Sequence, residues 1–393
     1  PRPVIRDKGK WRLVKGFKTS YRRMKSDSPA STLTMNSGVI SSDMKGHPEQ
    51  NRVLSLREIM LLSTLDHPNW NKRYVFEGIN YGRMKDGKKT DDLKVMGFNP
   101  CVEQQLEDAE LCCLVETFPA KHDTYEDYLR TLEIAYMYGK TVTLINTHWP
   151  ETNAIMLKNR RIGLSQSGVV QAFNKFGRRQ MLKWCNKAYK HVGELDKEYS
   201  DWLCVPRSVR MTSIKPSGTV SLLNGSTPGI HYPEDEYYIR RIRFASTSDL
   251  LPPLEAAGYK IEKDSYSPNT MCVEFPVHEP LFKKGKRDIS MWEQLEIAAQ
   301  YQYYWADNSV SITVTFHPDE ADQIKDALEM YEARLKAVSF LRYQETGYEQ
   351  APYEPITKEE YEKMIVGITP IQKIETNEGG VGSKFCTNDT CEL

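Results

Sequence analysis

An α/β fold is predicted for this 393-residue chain by three observations. Helical and strand periodicities alternate from about residue 120 onward. Short β-branched runs follow the helical stretches, as at Thr141 and Val209. With 39% hydrophobic and 27% charged side chains, the chain can bury a large core, which excludes a disordered tail and a disulfide-held peptide. Thr124 to Tyr138 sets Tyr128, Leu129, Leu132, Ala135 and Tyr138 at helical spacing, and the run TVTLIN from Thr141 reads as a buried strand. Between Arg178 and Trp202, the residues Met181, Cys185, Ala188, Val192, Leu195, Tyr199 and Trp202 form one stripe of a long helix. Cys185 is therefore core filling. Val209 to Ile214 is the next strand, Met291 to Trp305 a helix, and Ser309 to Phe316 a strand alternating at period two. Pro318 opens a helix with acids in its first turn, where the macrodipole favours them. Thr357 and Glu360 form a capping box ahead of Tyr361 to Ile368, and NEGGVGSK leads flexibly into the terminus.

Lys and Arg together number 53, as do Asp and Glu, so no global field concentrates the chain on nucleic acid or an anionic membrane. No stretch approaches the roughly 18 apolar residues of a membrane span, and the chain reads as cytoplasmic with no membrane partner. The first 25 residues hold ten basic side chains against Asp7, interleaved with Trp11, Phe17 and Tyr21. That pattern fits a solvated basic face or a segment docking another chain better than it fits nucleic-acid binding. Eight cysteines are too few for a secreted scaffold, and neither C-x2-C pairs nor H-E-x-x-H occur, so no metal site is expected. Adjacent Cys112 and Cys113, and Cys386 and Cys391 at the end, point to thiol redox chemistry in a reducing compartment.

Three segments carry chemistry. In GFNPCVEQQLEDAELCCLVETFP, from Gly97 to Pro119, an Asn-Pro turn presents Cys101, and in an extended loop Glu103 would point to the same side. In TSIKPSGTVSLLNGSTPGIHYP, from Thr212 to Pro233, a strand ends at Ile214. Pro216, Ser217, Gly218 and Thr219 then turn into a helix start, an anion site in which Gly218 lets backbone approach a phosphate. It lacks the P-loop pattern. The tail KFCTNDTCEL sets two cysteines on a mobile terminus, open to an external reductant and to a buried site alike.

The strings NPCVE, LCCL, PSGTVSLLNGSTPGIHYP, YWADNSVSITVTF and YEQAPYEPITKEEYE, followed by a C-x4-C tail, resemble ribonucleotide reductases. The similarity is to the adenosylcobalamin-dependent ribonucleoside-triphosphate reductases and covers about residues 95 to 393, the catalytic C-terminal half. FEGIN at Phe76 to Asn80 is only a distant echo of a Gly-Glu-Pro-Gly stretch. The resemblance implies that Cys101 is the thiyl radical that abstracts the 3′-hydrogen, Glu103 the general base on the 3′-OH, and Asn99 a hydrogen-bond donor to the substrate hydroxyls. It implies that Cys112 supplies reducing electrons, Cys113 taking the place of a residue more often Asn. Cys386 and Cys391 would re-reduce the active-site disulfide and be reduced in turn by a thioredoxin-like protein. Pro216, Ser217, Gly218 and Thr219 would cradle the phosphates of a ribonucleoside triphosphate. NRRIGLSQSG, from Asn159, is read as barrel framework. No D-x-H-x-x-G is present, so adenosylcobalamin rests on the resemblance alone, with His148 and His231 as loop residues.

The implied fold is part of a ten-stranded α/β barrel: the cysteine finger loop and the second half-barrel, with the first half absent from this chain. Only 98 residues precede Asn99, whereas five βα units at about 30 residues each need roughly 150. The expectation is a chain divided into 1–90 (basic segment), 91–370 (catalytic half) and 371–393 (redox tail), completed by a partner chain or an upstream segment. Cys185, Cys204 and Cys272 all read as core and make poor substitutes for the second reducing thiol. The rival readings are a reductase whose radical arrives from a metal-bearing subunit through Tyr303 and Tyr304, and an inactive nucleotide-binding remnant.

Overall fold

The computed structural model describes residues 72–343 and 349–371, together with the backbone of four short strands between Val4 and Gly46. The side chains of the basic N-terminal stretch, and the tail with Cys386 and Cys391, lie outside the described residues. Two compact units emerge, one from 72–232 with 288–343 and the other from 233–287 with 349–371.

The first unit is built on parallel pairing in chain order. Strand β1 (Lys72–Val75) is followed by a tight hairpin of β2 (Gly97–Phe98) and β3 (Gln105–Leu106), then by β4 (Leu114–Thr117). β4 pairs in parallel with β5 (Gly163–Gln166), which bridges in parallel to the segment around Thr212. Ile214 bridges in turn to Val310, and β6 (Thr313–Phe316) runs parallel to β7 (Ala337–Arg342), whose outer edge takes β1 antiparallel. Five chain segments thus lie side by side, with Ile162 N donating to Arg210 O and Ile214 N to Ser309 O as links of the ladder. Every residue of β5 is buried, as expected for a parallel strand covered on both faces.

Helices make the crossovers. α1 (Tyr125–Val142) starts where the Thr124 hydroxyl accepts from Asp127 N at 3.1 Å, with Glu126 and Asp127 in the favourable first turn. α2 (Pro150–Asn159) follows, then α3 (Val169–Phe176) and the 26-residue α4 (Arg178–Leu203). Met181, Cys185, Ala188 and Val192 on α4 are buried, as are Tyr128, Leu132 and Tyr136 on α1. Burying each large apolar side chain among these contributes about 2 kcal/mol. α5 (Met291–Tyr304) begins at the Ser290 cap, and α6 (Ile324–Tyr331) extends a 3-10 turn opened by Pro318.

Several elements differ from expectation. The run from Thr141 forms no strand: α1 continues to Val142, the Thr141 and Thr143 hydroxyls bond back to the carbonyls of Met137 and Lys140, and Ile145 is exposed. The next true strand comes after α2. Cys204 is not core: it caps α4 in the left-handed region and is exposed. Trp202, at the end of the α4 stripe, is likewise exposed.

The second unit was not anticipated. Its four strands pair antiparallel in the order β8 (Lys260–Lys263), β9 (Thr270–His278), β10 (Tyr237–Ala245), β11 (Tyr353–Pro355). Arg241, opposite Glu274 in register, donates to its carboxylate from Nε and Nη2 at 2.9 and 2.7 Å. α7 (Lys358–Val366) carries the expected capping box of Thr357 and Glu360. Gly258 has φ +92, and a Cβ there would stand 2.1 Å from Gly367 O, so only glycine fits. Among the described residues, no helix is long and apolar enough to cross a membrane.

Candidate active site

The β2–β3 hairpin presents the residues the sequence singled out. Asn99 and Gln104 close it through Asn99 N to Gln104 O and Gln104 N to Asn99 Oδ1, both at 3.0 Å. Val102 N returns to Asn99 O at 2.9 Å, and Val102 itself has φ +66. The Cys101 loop is therefore a tight turn and not the extended segment expected, because Asn99 pulls the chain back on itself. Two bonds seat it on the parallel array: Ser309 N donates to Glu103 O at 3.0 Å, and the Ser311 hydroxyl donates to Cys101 O. Cys101 is half-buried, while Glu103 is fully buried.

Glu103 is a carboxylate with one oxygen in use. Its Oε1 stands 3.4 Å from the Lys215 ammonium, while Oε2 is buried without a hydrogen-bond partner. A buried carboxylate oxygen left open is costly and marks a place prepared for a donor from a ligand. Because Asn99 Oδ1 accepts from Gln104 N, its amide nitrogen is the donor left for other groups, and the side chain lies near enough to the Cys112 thiol to oppose the rise of its pKa.

Cys112 and Cys113 lead into β4 on opposite sides. Cys112 is exposed as a residue, yet desolvation of its thiol by the surrounding protein and the Glu103 carboxylate push that thiol up, against Lys215 and Asn99. Cys113 is buried and faces Glu110 and Arg160; burial, with Cys112 and Glu110 adding, pushes it up to about 11. Of the two, Cys112 shares surroundings with Asn99 and Glu103.

The 215–229 loop follows the segment through Thr212 and Ile214, where the strand expected from Val209 to Ile214 is reduced to isolated bridges. Ser217 takes φ +45 and its hydroxyl is buried without a partner. It is Ser217, not Gly218, that adopts the left-handed conformation, and a Cβ on Gly218 would meet nothing within 4 Å. The helix expected after Thr219 is a single 3-10 segment, Val220–Asn224. At the loop's far end Ser226 and Thr227 add two more buried, unpartnered hydroxyls. His231 is a latch: Thr313 N donates to its Nε2 and Nδ1 lies 3.1 Å from Pro228 O, which sets the Nδ1–H tautomer.

Sequence reasoning missed Glu116. Its Oε1 accepts from Ser167 at 2.7 Å and Ser165 at 3.2 Å. Burial pushes this carboxyl from its ordinary 4.5 up to about 7, against the hydroxyls of Ser217, Ser167 and Ser165 and the Lys215 charge. The available signal was polar: Ser165 and Gln166 end a strand whose position demands burial, and Ser167, also buried, follows it. A carboxyl whose folded pKa is raised binds more protons folded than unfolded between those values, so stability falls as pH rises from about 4.5 to 7. Glu116→Gln is expected to remove that slope, gaining up to about 3 kcal/mol at pH 8 and nothing below about pH 4.5. Urea midpoints at both ends of the window measure it.

No family model matches the chain. A relative from Dictyostelium discoideum, named a probable adenosylcobalamin-dependent ribonucleoside-triphosphate reductase, is 48% identical over 309 residues, 77% of this chain and 41% of its own. One from Euglena gracilis, named an adenosylcobalamin-dependent ribonucleoside-triphosphate reductase, is 47% identical over 79% of this chain and 44% of its own. A crystal structure of a B-12 dependent (class II) ribonucleotide reductase superposes with a TM-score of 0.69 at 36% identity, covering 75% of this chain and 45% of that one. This chain is homologous to the adenosylcobalamin-dependent ribonucleotide reductases. It spans less than half the length of the relatives it matches. The class Id ribonucleotide reductase alpha subunit of Actinobacillus ureae, at 15% identity and TM-score 0.50, shares the fold. Tyr303 and Tyr304, on which the metal-subunit reading rests, meet edge to face at 4.8 Å beside Lys85, with Tyr303 exposed, while Tyr301 is buried against Phe173.

Proposed function

We propose that this chain carries the catalytic half of a reductase that converts ribonucleoside triphosphates to 2′-deoxyribonucleoside triphosphates by a thiyl-radical mechanism. One observation supports it most: the Glu103–Lys215 contact joins the cysteine hairpin to the Ser217 loop, so the thiol, the base and an anion-binding turn share one site. Replacing the 2′-OH by hydrogen needs a radical, because the ribose C–H bond does not yield to acid–base catalysis. Cys101, fixed through its carbonyl by Ser311, takes the 3′-hydrogen as a thiyl and later returns it. Glu103 Oε2 accepts the 3′-OH proton, and the Asn99 amide donates to a substrate hydroxyl. The 2′-OH leaves as water. Two electrons come from Cys112 and a second thiol supplied by the partner half, so that ribonucleotide and dithiol become deoxyribonucleotide, disulfide and water.

Cys386 and Cys391 reduce that disulfide by exchange and are themselves reduced by a thioredoxin-like protein in the cytoplasm. Pro216, Ser217, Gly218 and Thr219 hold the phosphates. Adenosylcobalamin, when bound, supplies the radical that takes the hydrogen atom from Cys101. What the described residues offer that group is this half-buried thiol; His231 is engaged through both ring nitrogens and no described residue is assigned to the corrin. The five-segment parallel array is one half of a ten-stranded barrel, its partner half supplied by a further chain or segment. In this reading 1–90 docks, 91–370 carries the chemistry and 371–393 shuttles electrons.

The test is conversion of CTP to dCTP by the purified chain with adenosylcobalamin and a dithiol, alone and with the other half of a homologous reductase added. Product that depends on both additives supports the reading, and none under either condition overturns it. Within this assay Cys112→Ser is expected to stop repeated turnover, at least about 100-fold, whereas Cys113→Ser stays within about threefold of wild type. Equal losses would remove the assignment of Cys112.

A further inference from the structure

Glu116 is a half-buried residue with a buried Oε2 that the proposed reaction does not use, and its bonds lead to the loop that does. The two hydroxyls on its Oε1 each accept a backbone N–H in turn: Ser165 Oγ from Lys215 N at 2.8 Å, and Ser167 Oγ from Gly229 N at 2.9 Å. One oxygen thus reaches both stems of the 215–229 loop. The stems also touch directly, since a Cβ on Gly229 would lie 2.3 Å from Lys215 O. The other oxygen, Oε2, is buried without a hydrogen-bond partner, and so is the Ser217 hydroxyl, which lies close enough to influence the carboxyl's charge.

A hydroxyl has one proton to give. Beside an ionised Glu116, Ser217 spends that proton on the carboxylate and turns lone pairs toward any incoming phosphate. Beside a neutral Glu116 the order reverses.

We propose that Glu116 is a positioning residue for the phosphate loop, donating Oε2–H as the neutral acid to Ser217 Oγ so that the Ser217 hydroxyl donates to a phosphate oxygen of the substrate. The inference rests on the nucleotide-binding reading of the 215–229 loop. Burial already brings this carboxyl to about 7, so the neutral form costs little near neutrality, and a bound phosphate favours it further. The charged group facing Glu116 is Lys215, itself shared with Glu103. No proton leaves the pair: one moves from solvent onto Glu116 as the anion binds.

The experiment is calorimetric titration of CTP into the chain at about pH 7.5 in two buffers of different ionisation enthalpy, with wild type, Glu116→Gln and Glu116→Ala. Wild type is expected to take up more than about half a proton beyond the Glu116→Gln value. The amide of Glu116→Gln can still donate to Ser217 and should hold affinity within about threefold, while Glu116→Ala weakens CTP about tenfold through the lost relay. Amide exchange across 215–229 gives a readout independent of nucleotide, and should quicken in Glu116→Ala but not in Glu116→Gln. Wild type that binds CTP with the same proton uptake as Glu116→Gln overturns the proton role, and unchanged exchange in Glu116→Ala overturns the positioning role. Failure of wild type to bind CTP at all while Glu116→Ala loosens the loop removes the nucleotide reading and leaves Glu116 only as a loop brace, which also ends the proposal.

Discussion

Cys101→Ser is expected to abolish deoxynucleotide formation, by at least roughly 10⁴-fold, or about 5.4 kcal/mol of barrier, while CTP binding changes less than about threefold. The reason is bond chemistry. A thiol loses its hydrogen atom far more readily than an alcohol, and a thiyl is matched to a ribose C–H so that the exchange is reversible; serine keeps the size and the hydrogen bonding but cannot hold the radical. The turn does not depend on the sulfur. It is closed by Asn99 with Gln104 and by Val102 N, and is docked through main-chain groups of Cys101 and Glu103. A folded, nucleotide-binding, inactive variant therefore separates chemistry from structure. The measurement pairs a dCTP assay on the assembled reductase with calorimetric CTP affinity. Residual turnover above about 1% of wild type would remove Cys101 from its role.

Glu103→Gln makes the companion case, because the amide keeps the Lys215 side of the site filled but cannot accept the proton. The loss should be in kcat, not KM. An equal loss in both would assign Glu103 to substrate binding instead.

The parts of this arrangement that could be read from the sequence are those governed by local periodicity. The helices α1 and α4 and the Thr357 cap follow from residue spacing, and the structure places them within a few residues of expectation, although Tyr138 and Trp202 at the ends of the two stripes are exposed. Thr141 to Asn146 was misread because β-branched residues favour strands only when a sheet edge awaits them. Here the threonine hydroxyls bond back along the helix, and Ile145 is left exposed. Glu116 stayed hidden for a different reason. Its partners Ser165 and Ser167, and the neighbouring Ser217, are 49, 51 and 101 positions away, and only the parallel ladder from β4 through β5 to Thr212 brings them together. The second unit was missed since β9 and β10 hold charged residues that pair across the sheet, Arg241 with Glu274, and so lack a clean apolar alternation.

Asp92→Asn is expected to cost about 3–5 kcal/mol of stability, the loss associated with leaving a buried charge without its partner. Asp92 is fully buried and is the anion between two fully buried guanidiniums. Arg161 donates to it from Nη1 and Nη2 at 2.9 and 2.6 Å, and Arg210 donates from Nε. Arg161 Nε also reaches Glu110 at 3.0 Å. Asp92 and Glu110 flank the cysteine hairpin at Gly97–Leu106, while Arg161 and Arg210 stand at the entrances to two parallel segments, so this network staples the hairpin stems to the array. An asparagine has the right shape but turns an NH2 toward a donor, and it leaves more positive charge than the remaining acids offset. Burial pushes the Asp92 carboxyl up, but the two guanidiniums outweigh it and hold it below 3.8. A depressed carboxyl contributes stability above its ordinary pKa and loses it as pH falls through the folded value, so the difference between wild type and variant should shrink only below about pH 4. Lys325→Ala, at an exposed pair 3.9 Å apart, is the control and should move stability by less than about 0.5 kcal/mol. Urea unfolding measures both, and hydrogen exchange over 97–106 should rise in Asp92→Asn alone. A change under about 1 kcal/mol would mean that water or relaxation already satisfies the two arginines, and that the hairpin is held in place by Ser309 and Ser311 without this staple.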